Sequence, residues 1–189
     1  MLTDEDLVRA WQRGDVEALE TLVKRYHAPL VAHFYRMLGD THLAEDLAQE
    51  TFLRLVRDVR SYQYPRPFRP WFYAIAHHLV SNHYASAYAR RVELRAELPE
   101  AVAQEPEPAE WFEHWERHDD LKQALAHLSQ EQREVLSLRF GQELSIQETA
   151  IILSIPPGTV KSRTFTALRL LRAYLEEQAK QSANRQGGR

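Results

Sequence analysis

Apolar residues recur at three- and four-residue intervals through the first ninety positions, and residues that cap or break helices interrupt them. Thr3 is placed to cap a first turn, with Leu7, Val8 and Trp11 behind it. Gly14 and Asp15 mark a break, and Asp15 is a natural N-cap. Leu19, Leu22, Val23 and Tyr26 follow at helical spacing. Pro29 is expected to restart the pattern, which continues through Leu30, Val31, Phe34, Tyr35 and Leu38 and stops at Gly39. Asp40 and Thr41 open another helix, with Leu43, Leu47, Leu55 and Val59 on its inner side. Pro65, Pro67 and Pro70 make 62–70 a stiff loop, because proline breaks a helix interior. A further helix is expected from about Trp71 to Arg91, with Phe72, Ile75, Ala76 and Leu79 as core.

A second helical stretch begins near residue 119. Leu121, Ala124, Leu125 and Leu128 form one stripe. Ser129 followed by Gln132, and Ser145 followed by Glu148, are capping boxes. Gly141 ends the helix between them. Ser154-Ile155-Pro156-Pro157-Gly158 reads as a turn, after which a last helix runs from about Thr159 to near Glu177. The tail 177–189 is polar and expected to fray. The pattern therefore predicts an all-α chain of two small helical domains: 1–91 and 119–176, joined by 92–118.

Charge sharpens this division. The net charge is −3, yet 1–91 holds 12 Lys/Arg against 11 Asp/Glu, 92–120 holds 2 against 10, and 121–189 holds 10 against 6. An acidic, Pro-containing linker thus separates a neutral module from a mildly basic one. Trp111, Phe112 and Trp115 cluster at the linker's end and are expected to dock onto something. The chain has no cysteine, which removes disulfides, zinc-thiolate sites and thiol nucleophiles, and fits a reducing compartment. No run of 18 apolar residues and no signal-peptide pattern is present, so neither membrane insertion nor export is expected. His114 and His118, one helical turn apart, could share a metal face, but spacing offers no third ligand and no metal or cofactor is expected. No Ser-His-Asp order, phosphate-binding glycine loop or paired-carboxylate pocket argues for an enzyme.

Two short helices around a tight turn, the second one basic, form a geometry that places a helix in the DNA major groove. On the last helix, Val160, Thr164, Ala167, Leu168 and Leu171 share one face. Ser162, Thr166 and Arg169 lie opposite, flanked by Lys161, Arg163 and Phe165. Hydroxyls, cations and an aromatic suit base edges, phosphates and thymine methyls. An ordinary helical hairpin with a charged outer face has the same look. Between 62 and 91, the aromatics Tyr62, Tyr64, Phe68, Trp71, Phe72, Tyr73 and Tyr84 are interleaved with Arg66, Arg69, Arg90 and Arg91, a mixture that suits single-stranded DNA.

Three segments carry a resemblance. Ala44-Glu45-Asp46-Leu47-Ala48-Gln49-Glu50-Thr51-Phe52-Leu53-Arg54 resembles the region 2.2 helix of bacterial sigma factors. Trp71-Phe72-Tyr73-Ala74-Ile75-Ala76 resembles the start of their promoter-melting helix, and Gly158-Thr159-Val160-Lys161-Ser162-Arg163 their region 4.2 recognition helix. Order and separation match, and the bare linker resembles the extracytoplasmic-function (ECF) group. The resemblance implies a cytoplasmic, non-enzymatic transcription initiation factor. It implies contacts from Asp46, Gln49, Glu50 and Arg54 to core RNA polymerase, through its β′ clamp helices, with the β subunit also a partner. It implies −10 contacts from Tyr62, Phe68, Arg69, Trp71, His78, Asn82, Arg90 and Arg91, around a flipped base. It implies −35 contacts from Thr159, Lys161, Ser162, Arg163, Phe165, Thr166 and Arg169, and an anti-sigma factor as a further partner. His78 stands where relatives commonly have Asn, and Ala85-Ser86-Ala87-Tyr88-Ala89 is less basic than usual. Two other readings compete: a helix-turn-helix regulator that never joins polymerase, and a module whose exposed aromatics bind only a regulator.

Overall fold

The computed structural model describes residues 2–95, 125 and 127–186, with side chains for 2–87, 125 and 127–178. Among these there are seven α-helices and no strand. The first module holds α1 (Asp4–Gln12), α2 (Val16–Leu38), α3 (Thr41–Asp58), a 3-10 turn (Val59–Ser61) and α4 (Phe68–Arg95). The second holds α5 (Gln130–Leu136), a π-helical turn (Ser137–Gly141), α6 (Ile146–Leu153) and α7 (Pro157–Gln186).

Local chemistry fixes the helix starts. Thr3, Asp15 and Asp40 each accept a hydrogen bond from a backbone amide of the first turn. Ser129 and Ser145 complete both halves of their capping boxes. Gly39 ends α2 at φ 72°, a left-handed conformation that glycine adopts without a Cβ clash.

Some boundaries differ from the expected ones. Pro29 does not restart α2, which runs through it. Tyr26, Leu30 and Phe34, at four-residue steps, bury against one core on both sides of the proline and hold the helix continuous. Helix α4 begins at Phe68, inside the expected loop, with Pro70 in its first turn, where the missing N–H is no loss. Helix α7 begins at Pro157, a position that favours proline, and continues to Gln186 through the segment expected to fray. The tail 187–189, the pair His114/His118, the cluster Trp111/Phe112/Trp115 and the linker over 96–118 lie outside the described residues.

The core of the first module is aromatic. Tyr26 packs edge-on against Phe68 and Tyr73, and Phe68 stacks on Phe72 with centroids 5.5 Å apart. The second module closes on Leu125, Leu128, Leu136, Ala167 and Leu171, with Val135, Ala150 and Val160 in a second cluster. Leu138, Leu144 and Ile152 of the second module join the first module's core. The modules are therefore not separated: α2 and α4 of the first pack against α5, the π turn and α6 of the second.

Candidate nucleic-acid interface

The helix-turn-helix is formed by α6 and α7. Ser154 takes a left-handed conformation at the end of α6, and Thr159 and Val160 donate backbone bonds to the Pro156 carbonyl, closing the turn. Val160, Ala167 and Leu171 of α7 are buried and fix its roll. That roll turns Lys161, Ser162, Phe165 and Arg169 outward, with Thr159, Arg163 and Thr166 half-buried beside them. Phe165 is 68% exposed, as the sequence pattern predicted. Leu168 is not on the inner face as expected; it is 44% exposed, next to the outward residues. Ser162 Oγ donates to the Thr159 carbonyl at 3.1 Å, and Arg163 pairs with Glu131 at 3.2 Å, so of the basic side chains here Lys161 and Arg169 are the more exposed.

On α3, Asp46 and Gln49 are exposed and Glu50 is half-buried, pairing with Arg54 at 2.7 Å. Sequence reasoning missed the apolar part of this face. Leu53 is 66% exposed and Val56 48% exposed, and positions 46, 49, 50 and 53 lie at helical neighbour spacing. An exposed Leu continuing a polar stripe was the available signal. The face therefore offers carboxylates, an amide and an apolar knob to a partner helix.

The loop before α4 is pinned from beneath. Gln12 Nε2 donates to the carbonyls of Val59 (2.8 Å) and Tyr62 (2.9 Å), Glu5 accepts from the Phe68 amide (2.9 Å), and the Tyr62 hydroxyl donates to the Arg66 carbonyl. Tyr62, Phe68 and Trp71 are buried, at 3%, 0% and 8% exposure, and pack on one another. These rings build the loop's floor and have no face free for a base in this conformation. Burial pushes the Tyr62 phenol up to about 12, keeping it a neutral donor. His78 and Asn82 are exposed on α4, at i and i+4. Tyr64 is exposed and lies under the Arg9 guanidinium, 4.6 Å from the ring centre. The side chains of Arg90 and Arg91 lie outside the described residues.

The seam between modules is polar and was not foreseen. Ser137 Oγ lies 2.9 Å from both Arg36 Nε and His33 Nδ1. Arg36 donates to the hydroxyl, and the same oxygen is bonded to His33 Nδ1, with the direction of that bond set by the imidazole tautomer. His77 Nδ1 lies 2.6 Å from Glu134 Oε1. Arg133 donates to the Met37 carbonyl at 3.2 Å, Gln142 Nε2 to the Pro29 carbonyl at 3.0 Å, Tyr73 to Gln142 Oε1 and Arg69 to the Gln142 carbonyl. Burial drives His33 down to about 3, with neighbouring Arg36 adding to the effect, and Arg36 itself down to about 10. The hydrogen bond to Glu134 raises His77.

Comparison with known proteins agrees with this arrangement. Residues 22–91 match the model for sigma-70 region 2, and residues 124–173 match that for sigma-70 region 4. The chain is 31% identical to the ECF RNA polymerase sigma factor BldN of Streptomyces coelicolor, over 93% of this chain and 67% of that one. It is also 31% identical to the ECF RNA polymerase sigma factor SigW of Bacillus subtilis, over 90% and 95%. The sigma factor RpoE of Bartonella quintana, solved with the anti-sigma factor NepR, shares the fold at a TM-score of 0.64, with 24% identity over 83% of this chain and 96% of that one. With both regions in order and curated relatives aligned along nearly its whole length, the chain belongs to the sigma-70 family, as an RNA polymerase sigma factor of the ECF group.

Proposed function

We propose that the two modules divide the work of promoter recognition between named faces. The α3 face, with Asp46, Gln49, Glu50 and Leu53, docks on the β′ clamp helices of core polymerase, where its carboxylates meet basic side chains and Leu53 fills an apolar gap. Arg54 holds Glu50 in place by their ion pair. The loop 62–67 and α4 handle the −10 element. There Tyr62, Phe68 and Trp71 support the loop, while Arg69, His78 and Asn82, with Arg90 and Arg91, contact the strand. Helix α7 enters the major groove at −35. Lys161 and Arg169 contact phosphates or guanine edges, Thr159, Ser162, Arg163 and Thr166 supply shorter polar contacts, and Phe165 covers thymine methyls.

The single observation supporting this reading is the joint presence of an acidic, apolar-tipped helix face on α3 and a basic, Phe-bearing recognition face on α7. A regulator that never joins polymerase would need only the second. Sigma factors are not an enzyme class, and we assign no catalytic step to this chain. Among the described residues no helix is long and apolar enough to cross a membrane, and we place the protein in the cytoplasm with its polymerase. A protein inhibitor of the anti-sigma kind would cover the exposed Phe165, Leu168 and Leu170. The test is run-off transcription with core polymerase on a promoter library. Defined start sites preceded by common −35 and −10 sequences are expected. Failure to direct core to any start site would refute the reading.

A further inference from the structure

The seam joining the modules differs from the cores on either side of it. Its centre is polar and holds two histidines, one buried and one half-buried, in opposite electrostatic settings. His33 is fully buried on α2 and is hydrogen-bonded to Ser137 Oγ at Nδ1, while its Nε2 has no partner among the described residues. Protonation of both ring nitrogens would set a second cation beside Arg36 in a site closed to water, which burial and the neighbouring guanidinium both oppose. The closed seam therefore accepts only neutral His33. His77 on α4 meets the buried Glu134 of α5, which is 6% exposed, and this carboxylate favours the charged imidazole. The charged and titratable groups around the two rings are Arg36 on α2, Tyr73 and His78 on α4, and Arg133 and Glu134 on α5.

We propose that His33 and His77 form a proton-operated clasp between the two modules. Protonated His77 holds the clasp shut through Glu134, and protonation of His33 opens it.

The two histidines act over different pH windows. His77 is raised in the closed form, so its contribution is complete below the ordinary histidine value near 6.5 and fades as pH rises through the raised value. His33 is depressed to about 3 when closed but regains an ordinary value near 6.5 once Ser137 and its neighbours withdraw. Closure is therefore weakened from about pH 6.5 downward, tenfold in the closed-to-open ratio per pH unit. The combined result is a closed form most populated just above pH 6.5. On the alkaline side it loosens modestly, and on the acid side it opens steeply. Opening releases Arg36, Arg133 and the Gln142 contacts to Arg69 and Tyr73, and so frees the second module from α2 and α4.

The absence of cysteine permits a direct test on the full chain. Cysteines introduced by His42→Cys and Gln147→Cys, at exposed positions on α3 and α6, carry a fluorescent donor and acceptor. Transfer efficiency should peak just above pH 6.5 and fall between pH 6.5 and 5. His33→Asn keeps an acceptor for Ser137 but cannot titrate in this range; it should abolish the acid fall. His77→Gln should remove the alkaline dependence and leave the acid fall intact. Imidazole proton resonances of the full chain without labels provide a second measurement. His33 should titrate below the ordinary value, and return toward it in Gly141→Leu, whose side chain meets the Arg36 guanidinium, already 2.6 Å from a bare Cβ. Efficiency that is flat from pH 8 to 5, an acid fall that persists in His33→Asn, or a His33 titration unaffected by Gly141→Leu would overturn the clasp. The readout is a distance and not transcription, so it stands or falls separately from the promoter-recognition reading.

Discussion

Replacing Arg36 by methionine should strengthen the closed protein. Arg36 is 5% exposed and, among the described residues, donates one hydrogen bond, from Nε to Ser137, and leaves Nη2 buried without a partner. Burial pulls its guanidinium down from its ordinary value to about 10. At 1.36 kcal/mol per pKa unit, the charged form gives up roughly 3 kcal/mol in the seam. Methionine has similar length, fills the space beside Gly141 with apolar atoms and carries no desolvation penalty. It forfeits the bond to Ser137, worth about 1.5 kcal/mol, the low end for a charged donor because the acceptor is a neutral hydroxyl. The balance is a gain of roughly 1–2 kcal/mol, in line with the general result that buried charges are often profitably replaced by hydrophobic groups. Thermal unfolding by circular dichroism should show a Tm higher by about 2–8 °C for a chain of this size. Transcription at limiting core polymerase should fall by about 5- to 30-fold if opening is required. A lowered Tm would show that Arg36 contributes more than its single bond and would refute this electrostatic account.

Three further outcomes follow from the faces on α3, α6 and α7. Asp46→Arg with Glu50→Arg should cut core polymerase retention in a pulldown by at least tenfold with far-ultraviolet dichroism unchanged; retained affinity would remove the case for that face. Lys161→Ala or Arg169→Ala should lower promoter affinity, and a phosphate-contacting residue should reduce the salt slope by about one counterion in a filter-binding titration. Any altered base preference should map to −35 and not to −10. Ser145→Ala removes the acceptor for the Glu148 amide and should cost about 1 kcal/mol, read as a lowered Tm.

What the sequence disclosed depended on range. Thr3, Asp15, Asp40, Ser129 and Ser145 act on amides two or three residues away, so their capping was legible from a short window. The outward turn of Phe165 was legible because Val160, Ala167 and Leu171 define the buried stripe within the same helix. The burial of Phe68 and Tyr62 was not, because their covering comes from Tyr26 on α2 and from the Glu5 and Gln12 bonds of α1. A loop rich in aromatics and arginines reads as a binding surface until its partners in the chain are known. The seam was least legible of all. His33 and Ser137 are 104 positions apart, and neither belongs to a motif. Arg36 sits in an apolar run, Phe34-Tyr35-Arg36-Met37-Leu38, where only a buried acceptor could justify a guanidinium.

The seam changes how the two modules are expected to cooperate. Acting as separate grips, they would be free to adjust to any spacing between promoter elements. In the closed form the α3 face and the outward side of α7 both remain exposed, so closure hides neither the polymerase-docking nor the −35 candidates. Arg69 is different. Among the described −10 candidates it is the one hydrogen-bonded across the seam, through the Gln142 carbonyl, and neighbouring Tyr73 is held by the same residue's side chain. Closure should therefore retard strand opening at −10 more than initial binding. The Arg36→Met variant separates these steps. In a stopped-flow assay of promoter complexes, its initial association should stay within about twofold of the parent, while conversion to the open complex slows by the 5- to 30-fold derived above. The opposite ranking, slow association followed by normal opening, would mean that the seam acts on −35 docking and that Arg69 has no part in the −10 step.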